Sequence, residues 1–409
     1  MSAHQLHRSL ARLKLRCFAV RPQRVQILST PKAFYDSLVE RCDAATTRVT
    51  LSALYWGTDP LAADLAEAVA RAARRGVVVN VTLDAARAGR RDKDGRTSVD
   101  ALAGVAAAGG DVNLVDASGR RGLVGEILGV YHAKACVFDG ATLLTGANLS
   151  EEYFSTRQDR YVVVRDSKVA DWYDAAVRAA ARAPDAPARA RALQELCAGP
   201  APAAPPRRRR LHRSRRRPTA MLFPTAQVRD LLAFEEHALV ALLEASPRCG
   251  LSTAYANPSS VIVGALQTTD ATVVVPSIGT HGFAGATGIK ALLPLAHARF
   301  AWDLATALGK TGEVREWVST NQTYHAKGCW AFSAGDERRV CATVVGSSNW
   351  NVRSHRRDVE LGAVVIARDA GLRRRLGDEW RRLRAPAREP VAKPPAWTAL
   401  LRGVVQPFA

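Results

Sequence analysis

The sequence predicts an α/β protein of two tandem layered domains that form a pseudo-twofold pair. Apolar, β-branched tracts alternate with Ala-rich amphipathic stretches, which is the pattern of a sheet covered by helices. This order occurs twice, on either side of an Ala-, Pro- and Arg-rich segment at residues 184–218. The tetrapeptide Tyr-His-Ala-Lys also occurs once in each half, at residues 131–134 and 324–327. We therefore expect a duplicated unit whose two half-sites meet at the domain interface to form one active site.

The first domain is predicted to span residues 25–183. Its strands are expected where β-branched and aromatic residues run together, at Val49–Trp56, Val77–Leu83, Val112–Val115, Ala135–Phe138, Leu143–Leu144 and Tyr161–Val164. Its helices are expected where apolar residues recur at helical spacing, at Pro60–Arg75, Val99–Ala108 and Lys168–Arg182. The alternation predicts one sheet with helices packed against it.

The second domain is predicted to span residues 219–409 and to repeat this order. Its strands are expected at Leu251–Tyr255, Thr272–Val275, Val314–Val318, Gly328–Phe332, Cys341–Val345 and Leu361–Ile366. Its helices are expected at Ile289–Leu308 and Ala370–Leu383. The repeated order predicts that the two domains have the same fold.

Two segments lie outside these domains. Residues 1–24 are rich in Arg and contain no acid, with Leu6, Leu10 and Leu13 at helical spacing, which is typical of a mitochondrial targeting segment. A disordered basic tail is the alternative interpretation. The segment at 184–218 is Ala, Pro and Arg with few large apolar residues, and it is predicted to be a linker or a surface insertion.

Composition limits the class of partner. The net charge of +20 indicates anionic partners, and eight Arg between residues 207 and 217 supply part of it. An anionic membrane surface, a phosphorylated substrate or a nucleic acid would each fit. No apolar stretch is long enough for a transmembrane helix. The seven scattered Cys form no Cys-x-x-Cys pair, which favours a reducing compartment over disulfides or a zinc site.

Each Tyr-His-Ala-Lys leads across an apolar tract to an Asn, and a carboxylate follows eleven positions after that Asn. The two sets are His132, Lys134, Asn148 and Asp159 in the first half, and His325, Lys327, Asn349 and Glu360 in the second. Lys and Asn can neutralise and bind phosphoryl oxygens, and His can act as nucleophile, acid or base. The duplicated set therefore predicts a phosphodiester-cleaving site that needs no metal.

The expected chemistry gives each residue a role. One neutral His attacks phosphorus, and the other protonates the leaving oxygen and then deprotonates the incoming nucleophile. Asp159 and Glu360 are expected to accept a hydrogen bond from the second ring nitrogen of the histidines and to fix their tautomer. Because the halves are chemically near-equivalent, the sequence leaves open which His is the nucleophile.

Other polar residues carry weaker signals. The remaining histidines are expected to be packed or surface residues, at His4, His7, His212, His237, His281, His297 and His355. The loop from Gly282 to Gly288 is expected to be a turn, with the alternative that Gly285, Gly288 and Lys290 contact a substrate phosphate. Tyr255, at the end of a predicted strand, is expected in the core, with cleft lining as the alternative.

The pattern His-x-Lys-x4-Asp-x6-Gly, followed shortly by Asn, resembles the phospholipase D superfamily. His132, Lys134, Asp139, Gly146 and Asn148 match it in the first half, and the resemblance adds Asp139 to the expected site residues. The second half departs from the pattern, because Phe332 stands at the position of the Asp. The resemblance implies two phospholipase D-like domains and a phosphohistidine intermediate.

The flanking residues resemble one branch of this superfamily, the eukaryotic mitochondrial-type phosphatidylglycerophosphate synthases. The matching motifs are at residues 146–161, 324–328, 346–349, 353–354 and 357–360. The resemblance extends from about Val25 to the C-terminal end and excludes the Arg-rich insertion. It implies transfer of the phosphatidyl group of CDP-diacylglycerol to glycerol 3-phosphate, with release of CMP and no cofactor. It also implies a peripheral protein on an anionic membrane, at the matrix side of the mitochondrial inner membrane or, alternatively, the cytoplasmic face of another membrane. That family usually has Lys where Thr287 stands, so the substrate contact of that Lys is expected either to be lost or to be taken over by Lys290.

Three alternatives follow from the same residues. A phosphatidylserine synthase or another transferase or hydrolase of the superfamily would use the same His, Lys and Asn sets. A nuclease is favoured only by the positive charge, so no nucleic acid partner is expected. A basic adaptor without activity is disfavoured because both sets are complete.

Overall fold

A computed structural model describes residues 3–120, 122–199, 220–333, 336–387, 389–401 and 405. The elements up to the Arg-rich segment are α1 (Ala3–Arg12), β1 (Phe18–Val20), β2 (Val25–Leu28), α2 (Pro31–Ala44), β3 (Arg48–Ser52), α3 (Pro60–Arg74), β4 (Val78–Asp84), α4 (Ala85–Ala88), α5 (Ser98–Ala101) and α6 (Ala103–Ala107). They continue with β5 (Asp111–Val115), α7 (Gly122–Leu128), β6 (Ala135–Phe138), β7 (Ala141–Thr145), α8 (Glu151–Ser155), β8 (Arg157–Gln158), β9 (Tyr161–Arg165), α9 (Ser167–Arg182) and α10 (Ala186–Cys197).

The second half repeats this alternation. Its first elements are β10 (Ala220–Val228), β11 (Leu232–Ala233), α11 (Phe234–Glu244), β12 (Arg248–Ser252), α12 (Ser260–Gln267), β13 (Asp270–Pro276), α13 (Leu293–Leu308) and β14 (Gly312–Trp317). The later ones are β15 (Thr323–Tyr324), β16 (Gly328–Ser333), β17 (Asp336–Gly346), α14 (Val352–Arg356), β18 (Val359–Ile366), α15 (Ala370–Arg384) and β19 (Glu389–Pro390).

The first domain contains a seven-stranded mixed sheet in the order β2-β9-β7-β6-β3-β4-β5. Strand β9 is buried on both faces because helices cover both sides of the sheet. Tyr161 and Val163 pack in the cluster that includes α2 and α3, whereas Val162 and Val164 pack in the cluster that includes α9. Burial on both faces explains why these strands read as continuous apolar runs rather than as alternating patterns.

The second sheet has the same internal order, β10-β18-β17-β16-β12-β13-β14, and adds β1 and β19 at its edges. The strands correspond one by one to those of the first sheet, and the predicted α/β fold with a duplicated unit is confirmed. The β16–β17 hairpin is longer than its β6–β7 counterpart, and its register shifts between Ala331 and Ser333. The additional length lies at the end of the hairpin away from the Tyr-His-Ala-Lys segment.

The two domains are joined through backbone pairing as well as side-chain packing. Strand β8 of the first domain pairs in parallel with β15 of the second, with Gln158 opposite Tyr324. Tyr131 makes a corresponding parallel bridge to Val359. One apolar cluster includes buried residues of both sheets, and it runs through the interface. These two bridges hold each Tyr-His-Ala-Lys segment against the opposite domain.

The N-terminal segment differs from the expected separate segment at residues 1–24. Strand β1 pairs antiparallel with β10, with Phe18 opposite Leu222, and it therefore extends the sheet of the second domain. Leu6 and Leu10 are fully buried in the cluster shared by both domains. The helical spacing seen in the sequence thus forms an apolar face of α1 that packs on the body of the protein.

The segment at 184–218 also differs from the predicted linker in its first part. Asp185 caps α10 by accepting a hydrogen bond from the backbone N–H of Ala188, and Leu193 and Cys197 are fully buried. Their spacing of four residues aligns them on one helix face. The Arg-rich part lies outside the described residues. Among the helices that the structure describes, none is long and apolar enough to cross a membrane.

Candidate active site

Both Tyr-His-Ala-Lys segments lie immediately before the central strands β6 and β16, at the interface of the domains. The backbone N–H of His132 donates to the carbonyl of Val359 at 2.9 Å, and that of His325 donates to Gln158 at 2.8 Å. The tyrosines are buried beneath the segments, and their hydroxyls bond to Ser52 and Ser252. The local backbone is thus fixed in the same way in both halves.

The two histidines are each held by a carboxylate from the opposite domain. Nδ1 of His132 lies 2.9 Å from Oε1 of Glu360, and Nδ1 of His325 lies 2.7 Å from Oδ2 of Asp159. Both carboxylates are almost completely buried. The structure therefore brings the predicted His and acid residues together, and it shows that the pairs cross the interface.

The carboxylates also fix the orientation of the rings. Burial lowers the pKa of both histidines well below the usual value, and Lys134 for His132 and Lys327 for His325 add to this effect. Both rings are therefore neutral at physiological pH. With Nδ1–H donating to the carboxylate, Nε2 of each ring carries the lone pair that nucleophilic attack or proton acceptance requires.

The lysines are fully buried beside the histidines. Nζ of Lys134 donates to the carbonyl of His132 at 2.8 Å, and Nζ of Lys327 donates to that of His325 at 2.7 Å. Burial lowers the pKa of Lys134 to about 7 and that of Lys327 to about 8, although the carboxylates Glu360 and Asp159 oppose the shift. The site thus holds two amines that a bound phosphodiester anion would keep protonated.

The two asparagines have different partners. Oδ1 of Asn148 accepts from the backbone of Leu54 at 3.3 Å, and its Nδ2 donates to the hydroxyl of Tyr153 at 3.2 Å. That hydroxyl lies 3.3 Å from Nε2 of His325, so Asn148 is linked to the histidine of the other half. Oδ1 of Asn349 is buried without a hydrogen-bond partner.

The expectation that Asp139 belongs to the site is wrong. This residue follows β6 at a φ of +47°, roughly 16 Å along the strand from Lys134. Its carboxylate accepts hydrogen bonds from the backbone N–H groups of Thr46, Thr47 and Arg48 and from both threonine hydroxyls. Although partial burial raises it, these bonds hold the pKa of Asp139 well below its usual value. Asp139 closes the hairpin against the start of β3.

The absence of an Asp in the second half follows from the same geometry. Phe332 lies inside the longer hairpin, near the end of β16, and is buried among apolar residues. The hairpin does not turn at this position, so no carboxylate is needed to bind a neighbouring loop. The mismatch between the two halves therefore concerns a turn rather than the chemistry of the site.

The glycine-rich loop from Gly282 to Gly288 has the geometry of a turn. Gly285 and Gly288 have φ values of +76° and +62°, which a glycine adopts without strain, and Lys290 is exposed. Within the described residues, none of the three takes part in the hydrogen bonds that join the histidines to the carboxylates. The turn geometry accounts for both glycines, and a substrate contact at Gly285, Gly288 or Lys290 stays a prediction.

Sequence reasoning missed several residues beside His325. Tyr153 packs edge-on against its ring, and the Arg157 guanidinium lies 4.9 Å from the Tyr153 ring centre. His281, His297 and Tyr255 form an aromatic group next to them. Tyr153 and Arg157 were within the flanking residues that resembled the family, whereas no pattern in the sequence distinguished His281 or His297 from packed histidines.

Buried acids outside the two sets support the site from behind. Asp84 accepts from the backbone N–H of Tyr131 at 2.7 Å, and Asp358 accepts from that of Val130 at 2.9 Å. Glu235 is fully buried, and neither of its carboxylate oxygens has a hydrogen-bond partner. Burial and the neighbouring Glu360 raise the pKa of Glu235 well above its usual value, so its carboxyl group is neutral at physiological pH. No short motif marks these residues.

The side chains that could bind a metal are dispersed in the described part of the chain. Over the described ranges, no group of three or more His, Cys, Asp and Glu side chains could hold a metal ion. The charge that the chain places at the histidines comes from Lys134 and Lys327.

Known proteins resemble this chain over most of its length. A family profile described as cardiolipin synthase, PLD-like domain, matches residues 38–180. The mitochondrial CDP-diacylglycerol–glycerol-3-phosphate 3-phosphatidyltransferase of Cricetulus griseus is 26% identical over 434 residues, covering 90% of this chain and 78% of that protein. The human protein of the same name is 25% identical with the same coverage. The Saccharomyces pastorianus CDP-diacylglycerol–glycerol-3-phosphate 3-phosphatidyltransferase is 24% identical, covering 88% of this chain and 82% of its own.

Solved structures extend the likeness to the fold of the whole chain. The phosphatidylserine synthase of Haemophilus influenzae Rd KW20 has a TM-score of 0.77 at 18% identity, covering 99% of this chain and 97% of that one. The polyphosphate kinase of Porphyromonas gingivalis has a TM-score of 0.53 and covers 95% of this chain and 53% of that one. The first half of the chain therefore contains a PLD-like domain, and the second half repeats its strand order together with the His and Lys residues.

Proposed function

We propose that this protein is a phosphatidyltransferase that moves the phosphatidyl group of CDP-diacylglycerol to glycerol 3-phosphate. The products are phosphatidylglycerophosphate and CMP. The observation that carries the proposal is the pair of histidines, each bound to a carboxylate of the opposite domain. The acceptor is supported by relatives that are named for this reaction and align over 90% of the chain.

In the first step, Nε2 of one histidine attacks the phosphorus of the phosphatidyl group. A phosphorus–nitrogen bond forms, and the bond to the CMP oxygen breaks. The other histidine, which is neutral in the ligand-free chain, takes up a proton on Nε2 when the anionic substrate binds, and it donates that proton to the departing CMP oxygen. The carboxylate at its Nδ1 stabilises the imidazolium before the proton leaves, which explains why both acids are buried beside the rings.

In the second step, the neutral second histidine removes the proton from a hydroxyl of glycerol 3-phosphate. The oxygen attacks the phosphohistidine, and the phosphorus–nitrogen bond breaks. In this scheme Lys134 and Lys327 compensate the charge on the phosphoryl oxygens in both steps, and Asn148 and Asn349 donate hydrogen bonds to them. The same residues therefore serve two displacements at one phosphorus.

We further propose that the protein works as a peripheral enzyme on the matrix side of the mitochondrial inner membrane. Relatives that are named mitochondrial support this location. An anionic bilayer would attract the positively charged chain, because basic residues near such a surface are stabilised by it. The lipid substrate is reached from that surface, and no nucleic acid is required.

The decisive experiment measures CMP release and lipid product from CDP-diacylglycerol in anionic vesicles. Glycerol 3-phosphate, serine or water alone is offered as acceptor, and single-stranded and duplex DNA are tested separately. We expect product only with glycerol 3-phosphate, above a slow hydrolysis. A product formed from serine but not from glycerol 3-phosphate would refute the acceptor, and DNA cleavage without CMP release would refute the lipid reaction.

A further inference from the structure

Two histidines that the proposed reaction does not use lie stacked in the second domain. The rings of His281 and His297 are 4.7 Å apart and inclined by 24°. Their exposed fractions are 1% and 5%, and each has a ring nitrogen that is buried without a partner, Nε2 of His281 and Nδ1 of His297. Buried polar groups in proteins are nearly always hydrogen-bonded, so two adjacent exceptions call for an explanation.

The hydrogen on His281 can be assigned from its surroundings. Nδ1 of His281 accepts from the backbone N–H of Phe283 at 3.2 Å. In a neutral imidazole the other nitrogen then carries the hydrogen, so Nε2–H is a donor without an acceptor. Burial, then His297 and Arg157, lowers the pKa of His281, and burial lowers the pKa of His297 to about 3. Both rings are therefore neutral while nothing is bound.

The stacked pair is adjacent to the reaction centre. The ring of Tyr255 lies 5.5 Å from His281, 4.7 Å from His297 and 6.4 Å from His325 between ring centres. The Arg157 side chain lies next to the pair, because its Nη2 donates to the carbonyl of Gly282 at 3.3 Å. A small molecule that contacts these groups would lie beside His325 and not within the two His–carboxylate pairs.

We propose that His281, His297 and Arg157 form a binding subsite for the phosphomonoester group of the acceptor. This inference rests on the proposed function, in which the acceptor is glycerol 3-phosphate. A phosphomonoester at neutral pH offers acceptor oxygens and carries close to two negative charges. Nε2–H of His281 and the guanidinium supply donors of matching type, and Nδ1 of His297 becomes a donor in the tautomer that the anion favours.

The subsite explains why the acceptor requires more than the phosphodiester machinery. Lys134, Lys327 and the asparagines are needed at the phosphorus that is transferred, so they are not free to bind a second phosphate. Because both imidazoles are covered in the ligand-free chain, binding requires the Gly282–Gly288 loop, which directly follows His281, to move outward. The hydroxyl of the acceptor then lies near His325, the histidine to which the subsite is adjacent.

The test compares His281→Leu, which removes the donor, with His281→Gln, which retains an amide N–H near the position of Nε2. His237→Gln, on the exposed surface of α11, serves as the control. We expect His281→Leu to raise the KM for glycerol 3-phosphate about tenfold to 100-fold, the loss typical of one charge-assisted hydrogen bond. The KM of His281→Leu for CDP-diacylglycerol should stay within about threefold of the wild-type value. The KM of His281→Gln for glycerol 3-phosphate should lie between those of the wild type and His281→Leu.

Glycerol, which lacks the phosphate, isolates the group that is recognised. The preference of the enzyme for glycerol 3-phosphate over glycerol, measured as a ratio of kcat/KM values, should fall in His281→Leu by the same factor as the KM effect. An unchanged ratio, or a change only in the KM for CDP-diacylglycerol, would overturn the subsite. If the wild-type protein makes no product from glycerol 3-phosphate, the proposed function fails instead.

Direct binding gives an answer that does not require turnover. Calorimetric titration of the resting protein with glycerol 3-phosphate should give a Kd that is at least about tenfold weaker in His281→Leu than in the wild type. Equal Kd values would overturn the inference. Thermal unfolding shows whether the Leu variant is folded. If that variant is misfolded, the test instead uses the wild-type protein with inorganic phosphate as an inhibitor. Phosphate should inhibit the wild type competitively with glycerol 3-phosphate, and competition with CDP-diacylglycerol alone would refute the subsite.

Discussion

Two aspartates of the first domain, Asp139 and Asp159, have different roles in the structure. Asp139 matches the pattern of the superfamily, but its carboxylate binds the backbone of residues 46–48. Asp159 lies in the site and contacts His325 of the other domain. Asp139→Asn and Asp159→Asn are isosteric changes of the same residue type. We expect the first to reduce stability and the second to reduce turnover.

The cost of Asp159→Asn follows from the geometry of the ion pair. At an effective dielectric constant of about 20, an imidazolium 2.7 Å from a carboxylate is stabilised by about 6 kcal/mol, which is an upper bound. A loss of about 10²–10⁴ in kcat is typical of a general acid–base group and corresponds to about 3–5 kcal/mol. Because His325 is buried, no water replaces the missing charge. We therefore expect kcat to fall by that factor.

Asp139→Asn should leave the site intact. The Asn oxygen can still accept the hydrogen bonds from Thr47 and Arg48. The amide nitrogen cannot accept the hydrogen bonds that the backbone N–H and the hydroxyl of Thr46 donate. Asn also tolerates the positive φ at this position. The expected loss is about 1–3 kcal/mol in the free energy of unfolding, because the remaining donors lose a charged acceptor.

The assay combines CMP release with urea unfolding for both variants. The reasoning requires Asp159→Asn to lose at least about 100-fold in kcat while Asp139→Asn stays within about twofold per folded molecule. Glu360→Gln, the matching change at His132, should resemble Asp159→Asn. A large loss of kcat in Asp139→Asn, or near-normal turnover in Asp159→Asn, would refute the assignment of the two aspartates.

Three further predictions concern pH, packing and metals. Glu235 has a raised pKa, so the folded chain keeps a proton that the unfolded chain releases above about pH 4.3, and wild-type stability falls as pH rises. Glu235→Gln should remove this loss, so its free energy of unfolding should gain up to about 1.4 kcal/mol per pH unit relative to the wild type as the pH rises in urea titrations. Parallel curves would contradict this prediction. Glu379→Leu removes the carboxylate that lies 2.7 Å from the buried Arg160 guanidinium. The free energy of unfolding should fall by about 3–5 kcal/mol in the same urea assay, because the guanidinium is left without its partner. A fall of less than about 1 kcal/mol would contradict the structural role of the pair. EDTA should leave CMP release within about twofold of the untreated rate, and restoration of a lost activity by Mg²⁺ or Mn²⁺ would contradict a histidine mechanism.

Much of the fold could be predicted because the strands are continuous apolar runs. The predicted strand Ala135–Phe138 agrees residue for residue with β6, and α3 begins at Pro60 as expected. Helices with mixed composition were not predicted, among them α2 and α11. Glu235 shows the reason in α11: a fully buried carboxyl group interrupts the apolar pattern from which a helix face is recognised.

The residue types of the site were also predicted from the sequence, but the pairing of each histidine with its carboxylate was not. A strand places His132 and Lys134 on the same side because side chains alternate, so their proximity follows from local geometry. The pairing of His132 with Glu360 joins residues 228 positions apart, and no local rule relates them. Equally, the stacking of His281 on His297 depends on how α13 packs beside the end of β13, which periodicity does not specify.

Two α/β halves, each with one His, Lys, Asn and acid in a fixed order, can be recognised from the sequence alone, because local spacing and duplication are visible along one chain. The folded protein was needed to show that each acid contacts the histidine of the other half and that Asp139 belongs to a turn. Hydrogen bonds act over about 3 Å in space, whereas spacing along the chain constrains only neighbours within one element.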